Sequence, residues 1–160
     1  MSFDLQGEAP KGPAFKRLSF SAWQWRPLWT YCQHVSDVAA ATGESGMFNN
    51  GTLISARDAR MLASDLRRAL DSQDVKRYAL LYLDEQSGMP DVPCRVCNSR
   101  GVVRRARAVT QAGVAVKTAT CGRCKGTGRV RPIGTYYVFS EHNVRTLMDF
   151  CIGSGGFRIW

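Results

Sequence analysis

Two Cys-x-x-Cys pairs, Cys94/Cys97 and Cys121/Cys124, stand 23 residues apart, and each is followed by a glycine at the same offset, Gly101 and Gly128. A Cys-x-x-Cys pair bends the backbone so that both sulfurs can reach one ion. Four thiolates at such spacing suit tetrahedral zinc better than any other common metal. The expected cofactor is therefore one Zn²⁺ held by Cys94, Cys97, Cys121 and Cys124. The turn after the second Cys aims backbone N–H groups at sulfur and calls for positive φ, which glycine tolerates. The second half supplies Gly126 and Gly128 at its turn positions, whereas the first supplies Ser99 and Gly101. The first knuckle is thus expected to be the stiffer or more distorted. A disulfide pair or four unrelated thiols are the competing readings, disfavoured by the matched glycines and by a reducing cytosol.

Between the pairs runs VVRRARAVTQAGVAVKTAT, with Val and Ala near alternate positions on both sides of Thr110–Gly113. The pattern predicts a β-hairpin with Gly113 at the turn. Such a hairpin would carry Cys97 and Cys121 back together, as one shared ion demands.

The repeats CRVCNSRG and CGRCKGTG resemble the C-x-x-C-x-G-x-G repeat of the DnaJ (Hsp40) cysteine-rich zinc domain. A similar two-repeat zinc motif occurs in the late antitermination Q proteins of lambda-like phages, and its second half closely resembles CGRCKGTG. The resemblance covers about a quarter of the chain. It implies a zinc fold in which two repeats close one four-cysteine site, and it says little about activity. No His-Pro-Asp tripeptide occurs, so stimulation of an Hsp70 is not implied.

Charge is distributed unevenly. Residues 92–140 hold ten basic residues and no Asp or Glu, while the rest of the chain holds 12 basic and 13 acidic ones. The formal surplus of +9 therefore sits on the cysteine module. Eight of the ten are Arg, whose planar fork grips phosphate as Lys cannot. A one-sided patch of this kind is the footprint of a polyanion binder. The candidate nucleic-acid contacts are Arg104, Arg105, Arg107, Lys117, Arg123, Lys125, Arg129 and Arg131. DNA or RNA is the first expected partner, and an acidic protein surface is the alternative. A merely solubilising surface would more naturally be built from scattered lysines.

The remainder reads as a body around this insert. With 160 residues and 44% apolar content, one domain with a real core is feasible. No run approaches 18 apolar residues, and the N-terminus carries no stretch of signal-peptide length. The expectation is a cytoplasmic protein with no membrane partner. Residues 1–18, rich in Gly, Pro and Lys, are expected to be an irregular arm. From Ser21 to about Ala41 the apolar positions Trp25, Leu28, Trp29, Cys32, Val35 and Ala39 recur at helical steps. Pro27 is tolerable near a helix start, so the regular helix is expected to begin there. The tryptophans Trp23, Trp25 and Trp29 read as core rather than as stacking platforms for bases. Asn49-Asn50-Gly51 is a turn, and Thr52–Ile54 a strand. Ser55 caps a helix with the stripe Ala59, Leu62, Ala63, Leu66 and Leu70. Residues 74–85 form another helix, or a strand. Thr135–Phe139 (TYYVF) reads as β, and Ser140 caps a final helix with Val144, Leu147, Met148 and Cys151 inward. Phe157–Trp160 is a terminal strand able to pair with TYYVF. The Ser-capped starts at Ser55 and Ser140 echo each other, most simply as generic helix-start chemistry.

Enzymatic constellations are missing. There is no phosphate-binding Gly-rich loop, no Gly-x-Ser-x-Gly and no His-Glu-x-x-His. A four-cysteine site leaves no open position for water, and no small-molecule substrate is evident. Cys32 and Cys151 fall on apolar helical faces and read as buried thiols. The sequence thus predicts a non-enzymatic α+β protein. A small helical body with short strands (residues 19–91 and 132–160) carries an inserted zinc-stapled β-hairpin with two knuckles (residues 92–131). Its expected role is a nucleic-acid-binding accessory protein of phage or mobile-element type. The alternative is a protein-interaction adaptor built on a DnaJ-like zinc module.

Overall fold

A computed structural model describes residues 2–110 and 113–160, with the side chains of 105–117 outside the description. The fold is α+β, mixed helix and strand with small antiparallel sheets. The chain divides into two compact units. One comprises Met1–Glu85 with Tyr136–Trp160, and the other is Gln86–Thr135.

The first unit begins with β1 (Ser2–Gly7) and β2 (Arg17–Ser21), paired antiparallel from Ser2↔Ser21 to Gln6↔Arg17. The expected irregular arm is therefore a hairpin. Phe3, Leu5 and Phe20 point inward, and their burial outweighs the Gly/Pro content of the connecting segment. The sheet is completed by β3 (Thr52–Ile54) and β8 (Phe157–Ile159), in the order β2-β1-β8-β3. α1 (Ala22–Val35) packs on β1 and β2, α2 (Asp37–Thr42) packs on α1 and α3 (Ala56–Asp71), α5 (Glu141–Gly153) packs on α3 and α1, and α4 (Asp74–Gly88) follows α3.

α3 and α5 start alike. The Ser55 hydroxyl accepts from Asp58 N–H and the Ser140 hydroxyl from Asn143 N–H, both at 3.2 Å. The predicted stripes of both helices are buried, and the two helices pack together. Only Ser55 follows a strand. Residues 135–139 form no strand at all: Ile133–Tyr136 is a 3-10 helix, and β8 pairs with β1 and β3 instead.

The reason lies in α1. That helix begins at Ala22, not at Pro27, with Gln24 Oε1 accepting from the Ser21 N–H at 3.1 Å. Pro27 has no N–H for the carbonyl four residues back, that of Trp23. Val138 N–H donates to that orphaned carbonyl at 2.9 Å. Val138 N–H is thus engaged by α1 and not by a strand. Trp25 and Trp29 are fully buried and stack at 5.2 Å, with their indole N–H groups donating to Gly46 O (2.8 Å) and Gly43 O (3.1 Å). Trp23 is 41% exposed and sits against Tyr136 and Tyr137.

In the second unit, β4 (Val92–Pro93) pairs with β7 (Arg129–Val130), and β5 (Val102–Thr110) with β6 (Gly113–Thr120). The β5–β6 ladder runs from Val102↔Thr120 to Thr110↔Gly113, with an irregularity between Ala106 and Ala108. Gly113, expected at the turn, opens β6 as the register partner of Thr110, and residues 111–112 between them lie outside the described residues. The unit reaches beyond residues 92–131 because its flanks are tied in. Arg131 donates to Gln86 O (2.7 Å) and Met89 O (2.8 Å), and Gln86 Nε2 donates to Gly134 O at 2.9 Å.

Candidate metal centre

The two cysteine pairs open and close the β5–β6 ladder, so pairing brings them face to face. The four Sγ atoms lie within 4.8 Å of one another and all four residues are buried. Cys94 Sγ is 3.9 Å from Cys121 Sγ, and Cys97 Sγ is 3.6 Å from Cys124 Sγ. All six cysteines are free of disulfides. The group could hold a metal ion.

The two halves are related by an approximate two-fold. Cys94 N–H donates to Gly128 O and Cys121 N–H to Gly101 O, each at 2.8 Å. Gly101 N–H points at Cys97 Sγ and Gly128 N–H at Cys124 Sγ, each at 3.3 Å. Arg100 N–H reaches Cys97 O at 3.1 Å, and Thr127 N–H reaches Cys124 O at 3.0 Å. Each N–H···S contact draws negative charge onto sulfur, as an ion-binding thiolate requires.

Glycine is needed at two of the four turn positions for two reasons. Gly101 (φ 73°) and Gly128 (φ 75°) are left-handed, and a Cβ on either would meet a carbonyl oxygen of the opposite half, Gly126 O or Ser99 O, at 2.2 Å. Gly126 (φ 93°) is different, because an added Cβ would meet only Thr120 Cγ2 at 3.4 Å. That tolerance explains how Ser99 (φ 62°) fills the matching place. The first knuckle, expected to be stiffer or more distorted, matches the second within 0.1 Å in these three bonds and differs at Ser99, whose N–H donates to Cys94 O at 3.0 Å. Sequence reasoning also missed Asn98 (φ 49°) and Lys125 (φ 51°), left-handed just after each second Cys. An asparagine at that place was a usable signal; a lysine was not.

The thiols are not equivalent despite the symmetry. Burial raises Cys97 to about 11, against the opposing pull of Gly101 N–H. Burial also acts to raise Cys124, but the N–H groups of Gly128 and Gly126 and the thiols of Cys97 and Cys121 outweigh it and bring the group to about 7. Cys32 and Cys151 lie apart, buried in the first unit, where desolvation lifts both thiols far above the ordinary range. Neither has thiolate character to act as a nucleophile at neutral pH.

The second unit holds ten Lys and Arg residues against one acid, Asp91, while the first holds twelve against twelve. Arg95, Arg100, Arg104, Arg123 and Lys125 are exposed, and Asp91, the unit's one acid, pairs with Arg131 at 3.8 Å. Of the predicted contacts, Arg104, Arg123 and Lys125 lie on this open surface. Arg129 and Arg131 are exposed too but serve structure, Arg129 donating to Asp91 O and Arg131 to Gln86 O and Met89 O. Arg105 and Lys117 are register partners across β5 and β6, and their side chains, like that of Arg107, lie outside the described residues.

Among the described residues, no helix is long and apolar enough to cross a membrane. Compared with known proteins, the chain matches no family model, no curated protein and no solved structure.

Proposed function

We propose that the chain is a non-enzymatic accessory protein that binds nucleic acid through the unit Gln86–Thr135, stapled by one Zn²⁺ on Cys94, Cys97, Cys121 and Cys124. Zinc suits the donor set. A tetrahedron with Zn–S near 2.3 Å has edges of about 3.8 Å, and the Sγ pairs at 3.6 and 3.9 Å stand close to that. With every position filled by sulfur, the ion has a structural role and no place for a reacting water.

The observation that carries the nucleic-acid reading is the segregation of charge: the whole surplus of +9 lies in one unit, whose one acid, Asp91, pairs with Arg131. Arg104, Arg123 and Lys125 would contact phosphates, with Arg105, Arg107 and Lys117 extending the track along the hairpin. Arg129 and Arg131 would add field rather than direct contacts, since their donors already serve the backbone. The resemblance to the two-repeat zinc motif of DnaJ and of phage Q proteins rests on the motif residues alone, and it favours a regulator of phage or mobile-element type.

The test is equilibrium binding of duplex DNA and single-stranded RNA across a salt series, with metal content measured on the same sample. Counterion release predicts a log–log slope of about −0.9 per phosphate neutralised on duplex DNA. Arg104→Ala and Arg123→Ala should each lower the slope by about one and weaken all sequences alike. A flat salt response, or no binding at low salt, rejects the reading.

A further inference from the structure

The zinc-ligand face of the second unit is not uniformly polar. A groove of about 700 Å³ opens beside Cys94, lined by the β4–β7 residues Val92 and Val130 with Pro132. Val96 and Ile133 form its walls and are 65% and 68% exposed. Arg95 and Arg123, one from each knuckle, stand at its rim with Arg131, and no acidic residue lines it. Bulky aliphatic side chains this exposed are costly to leave in water unless something covers them.

We propose that this groove docks a short peptide of alternating acidic and bulky apolar residues, presented by a partner protein. Three features select that occupant. The size fits a few side chains rather than a domain face. The rim is positive on both knuckles, so carboxylates would find the Arg95 and Arg123 guanidinium groups, planar donors that take a carboxylate two-pronged. The apolar lining is aliphatic, with no aromatic ring on which a base could stack, so a nucleic acid would gain nothing from Val96 and Ile133. The proposal gives content to the adaptor alternative; it shares Arg123 with the nucleic-acid reading, and Val96 and Ile133 belong to the groove alone.

The probe is a fluorescein-labelled ten-residue peptide alternating Asp or Glu with Leu or Phe, followed by anisotropy on the metal-loaded full chain. Binding to the parent should saturate. The double variant Val96→Ser/Ile133→Ser changes only exposed side chains, and it should keep its metal while binding at least tenfold more weakly. Arg95→Ala/Arg123→Ala should weaken binding by a similar factor. Arg67→Ala, on the exposed face of α3, removes the same charge elsewhere and should leave affinity within twofold. Duplex DNA binding by Val96→Ser/Ile133→Ser should match the parent, so failure of either proposal can be seen without the other.

The proposal is overturned if the double serine variant binds the peptide as the parent does. It is equally overturned if a peptide with every Leu and Phe replaced by Ser binds as tightly, since charge alone would then suffice. Loss of DNA affinity in that variant would make the groove a nucleic-acid contact. Sedimentation showing a dimer that the variant dissolves would make a second copy the occupant, and either result replaces the partner peptide.

Discussion

The two units are held together by different means. The first buries a continuous apolar core in which Phe3, Leu5, Trp25, Trp29, Tyr31, Leu66, Leu147 and Ile159 are nearly or wholly excluded from solvent. In the second, the buried hydrophobic cluster among the described residues is the four cysteines themselves, with only Val103 and Val130 partly buried against them. A small unit with so little apolar burial needs a staple. The difference teaches where each kind of damage should stop: core mutations should act on one unit and sulfur mutations on the other.

The largest expected effect sharpens that contrast. Cys121→Ser should release the ion and disorder the β5–β6 unit, because metal binding and local folding are coupled; structural zinc contributes about 10–16 kcal/mol in small peptides. Far-UV circular dichroism should retain the helical signal of the first unit. Full retention of metal in this variant would break the comparison. Leu66→Ala is the mirror experiment, expected to cost about 2–5 kcal/mol in the first unit while leaving metal stoichiometry at one. Denaturation followed at Trp25 and Trp29 reads the first quantity and a chromophoric chelator the second.

Next comes a pair within the second unit. Gly101→Ala should weaken metal retention strongly, since left-handed backbone strain of about 1–3 kcal/mol adds to the overlap with Gly126 O at 2.2 Å. Gly126→Ala carries the same kind of backbone strain (φ 93°) but no such overlap, meeting only Thr120 Cγ2 at 3.4 Å, and should be milder. Competition with a chelator ranks the two, and equal losses would contradict the account of Ser99. The smallest effect lies back in the first unit. Tyr31 donates to Asp74 Oδ2 at 2.8 Å, and this bond, ahead of Arg77, holds the Asp74 carboxyl below its ordinary range. A lowered folded-state pKa adds stability that is present above the unfolded value and lost as pH falls through the folded one. Tyr31→Phe should therefore cost about 1 kcal/mol near neutral pH, and the gap to the parent should close in acid below pH 3.8. A gap that persisted unchanged at lower pH would mean that the lost hydroxyl acts through packing instead.

How much of this was legible in the sequence follows from how local each feature is. The stripe Ala59-Leu62-Ala63-Leu66-Leu70 and the Ser55 and Ser140 caps are set within a few residues, and they read correctly. The cysteine cluster was legible because spacing and paired glycines encode a geometry. The sheet was not, since β1 finds its second neighbour, β8, at the opposite end of the chain. Phe3, Leu5 and Phe20 carried the alternation, but Gly and Pro between them pointed to an arm. TYYVF has high β propensity and still makes no ladder, because propensity does not say which backbone groups have a better use elsewhere. Around the metal centre, the overlap at Gly101 and Gly128 comes from residues on the other knuckle, beyond any local pattern. The groove at Val96 and Ile133 also escaped notice, as neither residue belongs to a periodic stripe.

The proline in α1 has one more implication. By leaving the Trp23 carbonyl unserved, it creates a fixed address at which the chain must re-register when it comes back at Val138. The approach to α5 is thereby tied to α1 itself, by a bond that does not depend on the length of the chain between them. A single missing proton donor in an early helix can in this way set a position far downstream.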